Sequence, residues 1–369
     1  MGENGDLILV IDQGTTGSKV LLMDGSSRIC GRAYREITQY YPKAGWVEYD
    51  LTEIWNGIVA LISQVLSGVD PRRVKALALT NQRETVAVWD KASGGPLAPA
   101  VVWQCRRSAD LCQDLIEQGY NDLFRRKTGL KIDPYFSGTK VKWLLDNVSG
   151  LREKAVKGQV CIGTIDSWLL WNLTGGKVFA TDYSNASRTL FYNIYELRWD
   201  QELLDILGIP AAALPEVNPS SYHYGKTVEV GGLPAGVPIT GGIGDSQGAL
   251  FGEACFRPGM AKATYGTGTS LMMFAGEQPV LPSEGLVATL AWGLGKEPAY
   301  ALEGVINVTG ATMQWLRDGL GILDDVVKSG EIAQSLSGND GVYLVPAFVG
   351  LGAPYWDMNA RGLICGLTR

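Results

Sequence analysis

Histidine is almost missing from this sequence: His223 is the only one among 369 residues. Ordinary zinc sites need several imidazole or thiolate ligands, and Ser-His-Asp hydrolysis needs a positioned imidazole. Both drop out unless His223 serves, and it lies in the polar run Ser220-Ser221-Tyr222-His223-Tyr224, which reads as a surface loop. Any general base is then a carboxylate, a lysine or a tyrosine. A C-x-x-C pair is also lacking. Cys30, Cys105, Cys112, Cys161, Cys255 and Cys365 are scattered, which reads as reduced, mostly buried thiols in a cytosolic enzyme. No apolar run approaches the roughly 20 residues of a membrane span. The opening Met1-Gly2-Glu3-Asn4-Gly5-Asp6 is no signal peptide, and Asp6 stands where a myristoylation signal needs Ser or Thr. The N-x-[ST] matches at Asn147, Asn172 and Asn307 are read as chance. A Walker A loop is missing: Gly225-Lys226-Thr227 looks like its tail, but Ser220 occupies the first glycine's place. No G-x-G-x-x-G supports a dinucleotide site.

Strong charge is lacking as well. Charged residues make up 19% of the chain and the net charge is −6, which argues against a nucleic-acid surface. An acidic chain still binds phosphates through backbone amides and a divalent cation. With 46% hydrophobic residues over this length, a packed globular protein of two domains is expected.

What is present is a phosphate-loop pattern that occurs twice. Leu7 to Asp12 runs into Gln13-Gly14-Thr15-Thr16-Gly17-Ser18 and then Lys19 to Met23. Met260 to Tyr265 runs into Gly266-Thr267-Gly268-Thr269-Ser270 and then Leu271 to Phe274. Each reads as apolar strand, Gly/Thr turn, apolar strand. Turn glycines let backbone N–H groups converge on an anion, and threonine hydroxyls add donors. Either turn alone is an ordinary hairpin; two facing each other across a cleft would hold a polyphosphate from both sides.

Strands and helices alternate, which favours an α/β fold. Asp50 reads as an N-cap with Glu53 as its capping-box partner, and Ile54, Ile58, Leu61, Ile62 and Val65 mark one face of a helix ended by Gly68. Val74 to Leu79 and Thr85 to Trp89 read as strands joined by Thr80-Asn81-Gln82-Arg83-Glu84. Ser108 reads as the cap of a helix from Ala109 to Gln118, and a helix is expected over Gln247 to Cys255. The domain boundary falls just after it, giving domains 1–255 and 256–369. Asp245, at the end of an apolar run and the start of a helix, is either a plain N-cap or a carboxylate facing a cleft. Arg83-Glu84 is either a solvated pair or a donor-acceptor pair for a polyol hydroxyl. Trp103 and Tyr135 are either core aromatics or walls against C–H groups.

Together these stretches resemble the FGGY carbohydrate kinases. The matching segments include Asp12 to Thr16, Tyr41 to Glu48, Thr80 to Thr85, Val102 to Arg107, Asp133 to Lys140, Thr181 to Arg188, Thr264 to Gly268, Ala301 to Gly304 and Gly350 to Asp357. The resemblance implies an actin-like fold, each domain on a ribonuclease-H-like sheet, with the active site in the cleft between. It implies transfer of phosphate from ATP to the terminal hydroxyl of glycerol. It makes Asp245 the general base, and Arg83, Glu84, Tyr135, Asp245 and Gln247 the hydroxyl-binding groups, with Trp103 packed on the carbons. Thr15, Thr16, Gly17, Lys19, Gly266, Thr267 and Gly268 would cradle the phosphates. Gly310 and Gln314 match nucleotide-contacting positions, and Asp12 and Asp245 would hold Mg²⁺ through waters. The expected partner is small-molecule glycerol, with no nucleic acid and no membrane; a homo-oligomer stays open.

Four departures stand out. Lys19 replaces a usual arginine, keeping the charge but not the fork. Ser270 stands where a phenylalanine is usual, which loosens one wall and favours a larger polyol or a ketose as the rival substrate. Ser246 replaces a usual glutamine. Family members also continue past Arg369, so the second domain is expected to be incomplete, with partly uncovered apolar faces and weak or no activity; an inactive nucleotide-binding fragment is the other rival.

Overall fold

The computed structural model describes residues 5–283, 285–295 and 297–368. Met1 to Asn4, which were read for a leader, lie outside them, as does Arg369.

Ten strands form one continuous sheet. In the first half, β1 (Leu7–Gln13), β2 (Gly17–Asp24) and β3 (Ile29–Glu36) run as an antiparallel meander. Strand β4 (Val74–Asn81) adds parallel to β1, and the later strands are β5 (Ser221–Lys226) and β6 (Pro238–Gly244). β6 lies parallel to β4, with β5 antiparallel beside it. The second half comprises β7 (Ala261–Tyr265), β8 (Thr269–Gly276), β9 (Val287–Leu294) and β10 (Glu297–Ile306), all antiparallel neighbours. The order is β7-β8-β10-β9-β5-β6-β4-β1-β2-β3. The strands of the two halves pair at one register position, Ser221 with Leu294. This is the actin-like, ribonuclease-H-like arrangement expected above, with two sheets meeting edge to edge.

Alternation drives β1: Leu7, Leu9, Ile11 and Gln13 are buried while the residues between are not. Helix α1 (Leu51–Leu66) packs on β2 and β3 with Ile54, Ile58, Leu61, Ile62 and Val65 inward. Burying each such side chain stabilises by about 1.5–3 kcal/mol. Asp50 caps α1, accepting from the N–H groups of Thr52 and Glu53. The Glu53 carboxylate does not return to the cap; it accepts instead from the Thr38 N–H and hydroxyl, which ties the chain after β3 to the helix. Ser108 precedes the helix Ala109–Glu117 but makes no cap bond. Its hydroxyl pairs with that of Thr139 at 2.9 Å, because both are buried between helices. The helix expected at Gln247 begins earlier, at Asp245, and ends at Gly252. His223 is exposed as expected, although it lies on β5 and not in a loop.

The core is uneven. One large cluster fills the first half, where Trp89 packs edge-on against Trp168 and Phe179. The second half holds smaller clusters, such as Phe274 stacked on Trp292 at 5.2 Å. Beyond residue 320, Ile322, Val327, Leu336, Leu363 and Leu367 are exposed, so apolar surface lies open there.

Candidate active site

The carboxyl ends of parallel strands collect ligands, because the connections leaving them open a crevice. Here β1, β4 and β6 end level: Gln13 faces Asn81, which faces Gly244. What leaves those ends is the first Gly/Thr turn after β1, Gln82-Arg83-Glu84 after β4, and Asp245 after β6. The second Gly/Thr turn, between β7 and β8, approaches from the other half. The result is a cleft of ≈ 170 Å³ lined by Thr15, Arg83, Glu84, Trp103, Tyr135, Asp245, Thr267, Gly268 and Ser270 among others. Two distant hairpins and the polyol-type residues thus share one opening. A wider hollow, lined by Tyr40, Tyr41, Glu48 and residues 96–99, lies apart and contains neither turn.

Both turns are braced. The Thr15 carbonyl accepts from Tyr49 Oη at 2.7 Å, and the Thr15 hydroxyl accepts from Trp103 Nε1 at 3.0 Å. That second bond leaves the hydroxyl proton of Thr15 free to point outward. Lys19 sits opposite Asp12 in the β1–β2 register, and its Nζ lies 3.1 Å from the Asp12 carboxylate. The second turn rests on the start of the helix Gly310–Asp318: the N–H of Gly310 donates to the Gly266 carbonyl at 2.9 Å. A Cβ on Gly310 would sit 2.5 Å from that oxygen, so only glycine permits the approach. Gln314 is exposed on the same helix.

Asp245 is the first residue of its helix and not the cap, which is Gly244. Its carboxylate accepts from its neighbour Ser246 N–H and lies 3.4 Å from Arg83 Nε. The side chain is 45% exposed, but into the cleft. Enclosure raises its pKa above the ordinary carboxylate value, and the nearby Arg83 charge opposes that rise. Glu84 takes φ +61°, and the Thr85 N–H donates to the Arg83 carbonyl at 2.8 Å, so a strained three-residue turn centres on Glu84. Strain of this kind aims a carboxylate; here Arg188 Nε grips it at 2.6 Å. Tyr135 stands edge-on to Trp103 at 5.4 Å, forming an aromatic wall.

The placements are not uniform. Gln247 is fully buried behind Arg83: its amide oxygen accepts from Arg83 at 3.2 Å, and its amide nitrogen donates to Thr289. It therefore supports the site from outside the cleft. Two buried residues were given no role from sequence, Arg188 and Glu303. The one sequence signal is the lone carboxylate of Glu303 inside the apolar run Ala299 to Ile306; Arg188 stands among Ser184, Asn185, Ser187 and Thr189 and carries none. For a metal, no group of three or more His, Cys, Asp or Glu side chains gathers among the described residues. Asp12, next to last in β1, and Asp245, just after β6, lie two strand spacings apart across the sheet, roughly 10 Å. That suits Mg²⁺, which takes one or two carboxylates and completes its shell with phosphates and water.

A two-domain fold of this type, with two Gly/Thr turns facing a carboxylate and an arginine in one cleft, has the layout of a phosphotransferase. Comparison with known proteins narrows the class. The sequence model "FGGY family of carbohydrate kinases, N-terminal domain" matches residues 7–252, and that of its C-terminal domain matches 261–369. The chain belongs to this family. It is 54% identical over 364 residues to a glycerol kinase of Bacillus subtilis (strain 168), covering 98% of this chain and 73% of that protein. It is 53% identical over 365 residues to glycerol kinase 2 of Thermotoga maritima, with the same two coverages. Among solved structures, Plasmodium falciparum glycerol kinase with ADP superposes with a TM-score of 0.87 at 36% identity, covering 99% of this chain and 73% of that one.

Proposed function

We propose that this chain transfers the γ-phosphoryl group of ATP to the terminal hydroxyl of glycerol, giving sn-glycerol 3-phosphate and ADP. The observation that carries this reading is the shared cleft, where Asp245, Arg83 and Glu84 face two Gly/Thr turns. The relatives named glycerol kinase supply the substrate.

In this mechanism Arg83 donates to a glycerol hydroxyl and Glu84 accepts from one. Trp103 and Tyr135 cover the carbons. Thr15, Thr16, Gly17 and Lys19 hold the phosphates from one side, and Gly266, Thr267 and Gly268 from the other. The start of the Gly310 helix, with Gln314, receives the rest of the nucleotide. Asp245 takes the hydroxyl proton as the oxygen bonds to the γ-phosphorus and the bond to the β,γ-bridging oxygen breaks. Mg²⁺, held by Asp12 and Asp245 through waters, would neutralise charge on the phosphate oxygens. Closing the walls around the reacting atoms keeps water from consuming ATP. We place the domain division at 255/256, which the gap between the two family matches supports. A cytoplasmic location is proposed with it; no helix among the described residues is long and apolar enough to cross a membrane.

Asp245→Asn tests the base. Expected is a loss of kcat of about 10²–10⁴-fold, with glycerol still bound in calorimetry; retained turnover overturns the assignment. A second reading, a longer polyol or a ketose as the preferred acceptor, is favoured by one observation. Ser270 lines the cleft with a hydroxyl 3.3 Å from that of Ser246, which makes this wall small and polar. Turnover of glycerol, erythritol, xylulose and ribulose separates the two readings, and glycerol losing by a wide margin decides for the second.

A further inference from the structure

We propose that Glu303, from the second half of the sheet, is a positioning residue that keeps Arg83 turned toward the polyol and away from full pairing with Asp245. This rests on the function proposed above.

Glu303 does not line the cleft. It lies on β10, opposite Met272 of β8 and Val287 of β9, and is fully buried. A carboxylate in that position is costly unless several donors meet it. Four contacts do. Arg83 reaches it twice, with Nη2 at 2.7 Å from Oε1 and Nη1 at 3.2 Å from Oε2. Arg188 Nη2 lies 2.7 Å from Oε2. The Ser270 hydroxyl donates to Oε1 at 2.8 Å. Burial alone would raise the Glu303 carboxyl, but Arg188 and Arg83 more than offset this and hold it at about 2, so the charge is permanent.

The consequence lies in which edge of Arg83 is left over. Nη1 and Nη2 are taken by Glu303 and Gln247. Only Nε turns to the reacting side, 3.4 Å from Asp245 and 3.9 Å from Glu84. A guanidinium prefers a bidentate carboxylate partner. If Glu303 did not occupy that fork, Asp245 would be the available taker, because Glu84 is already held by Arg188. Asp245 paired in that way would be a poorer proton acceptor, and Arg83 a poorer donor to substrate. The clasp also crosses the molecule: Glu303 belongs to the second half, Arg83 and Arg188 to the first. The polyol site is therefore set by a contact between the halves.

The test is the steady-state kinetics of Glu303→Gln against the unaltered chain at one pH, with glycerol and ATP varied separately. Expected are a rise of about tenfold in KM for glycerol and a fall of about tenfold in kcat, with KM for ATP nearly unchanged. KM values for glycerol and ATP that shift alike, or a KM for glycerol that does not move, overturn the proposal and leave Glu303 a stabilising residue only. If Glu303→Gln does not fold, Glu303→Asp decides. It keeps the charge but shortens the reach, so KM for glycerol should rise while KM for ATP stays. No change in KM for glycerol then counts against the proposal. Failure of the unaltered chain to phosphorylate glycerol would instead sink the function reading itself, and the control arm shows this separately.

Discussion

The two Gly/Thr turns have similar sequences but different supports. The first lies inside the larger core. Tyr49, Gln39, Gln82 and Trp103 all reach it with side-chain hydrogen bonds, and its strands β1 and β2 have neighbours on both sides. The second lies at the sheet's edge. Strand β7 has no partner beyond β8 among the described residues, and Tyr265 at its end is 80% exposed. Its support comes mainly from backbone, through Gly310 and Thr309. Equivalent local chemistry can thus be held by side chains in one place and by close backbone packing in the other. Side-chain support fails in small steps, whereas backbone packing at van der Waals contact has no slack.

That contrast predicts where the largest damage lies. Gly310→Ala places a methyl group 2.5 Å from the Gly266 carbonyl, so the second turn must move bodily. Overpacking of this sort costs about 1–3 kcal/mol, and here the displaced atoms are the ones that would face phosphate. kcat/KM for ATP should fall by about 10²-fold, while glycerol binding measured without nucleotide stays within about twofold. Equal damage to both ligands would mean that the turn is not specific to the nucleotide side.

The legible parts of this architecture share a cause. The hairpins, α1 and the strand read at Val74 to Leu79 are written in local pattern: alternation, a helical stripe, a cap, a turn glycine. Asp245 was visible as a carboxylate at a strand end, although cap and cleft were indistinguishable until the structure put Gly244 in the cap position. Gln247 lies behind Arg83, and position along the chain does not say which side of Arg83 a neighbour takes. Glu303 and Arg188 had no readable role, since Glu303 meets Arg83 across 220 residues and Arg188 meets Glu84 across 104. Only Glu303 carried a hint, a charge stranded in an apolar run.

The next effect concerns charge at the base of each hairpin. Lys19 on the first is part-exposed and paired with Asp12. Lys262 on the second is buried, and burial first, then Arg83, lowers its pKa from 10.5 to about 8. A lysine depressed in the folded state binds fewer protons there than in the unfolded chain between those two values, so stability rises with pH across that window. Below pH 8 the cost of the charged form is fully present, about 3 kcal/mol gross. Lys262→Met removes that cost but also loses hydrogen bonds to Thr264 and Ser270 at about 1 kcal/mol each. The variant should be more stable at pH 7 by about 1 kcal/mol, and this advantage should reverse by pH 10. Urea unfolding at both pH values measures it, and an advantage independent of pH would refute the assigned cause. Lys19→Met should change stability by less than about 1 kcal/mol, as a part-exposed ion pair does.

The smallest effect is expected where bracing is most redundant. Tyr49→Phe deletes the 2.7 Å bond to the Thr15 carbonyl, but Gln39 Nε2 still reaches that oxygen at 3.3 Å. The loss should be about 0.5–1 kcal/mol in unfolding free energy, with KM for ATP changed less than about twofold. Thr309→Val is the matching change on the second turn. It deletes the hydroxyl that donates to the Gly266 carbonyl and accepts from Thr269 at 3.0 Å. No second side chain is bonded to that carbonyl among the described residues, so KM for ATP should rise more than in Tyr49→Phe even where the stability losses are equal. If the two variants shift KM for ATP alike, the turns are equally constrained and the edge position of β7 has no consequence for nucleotide binding.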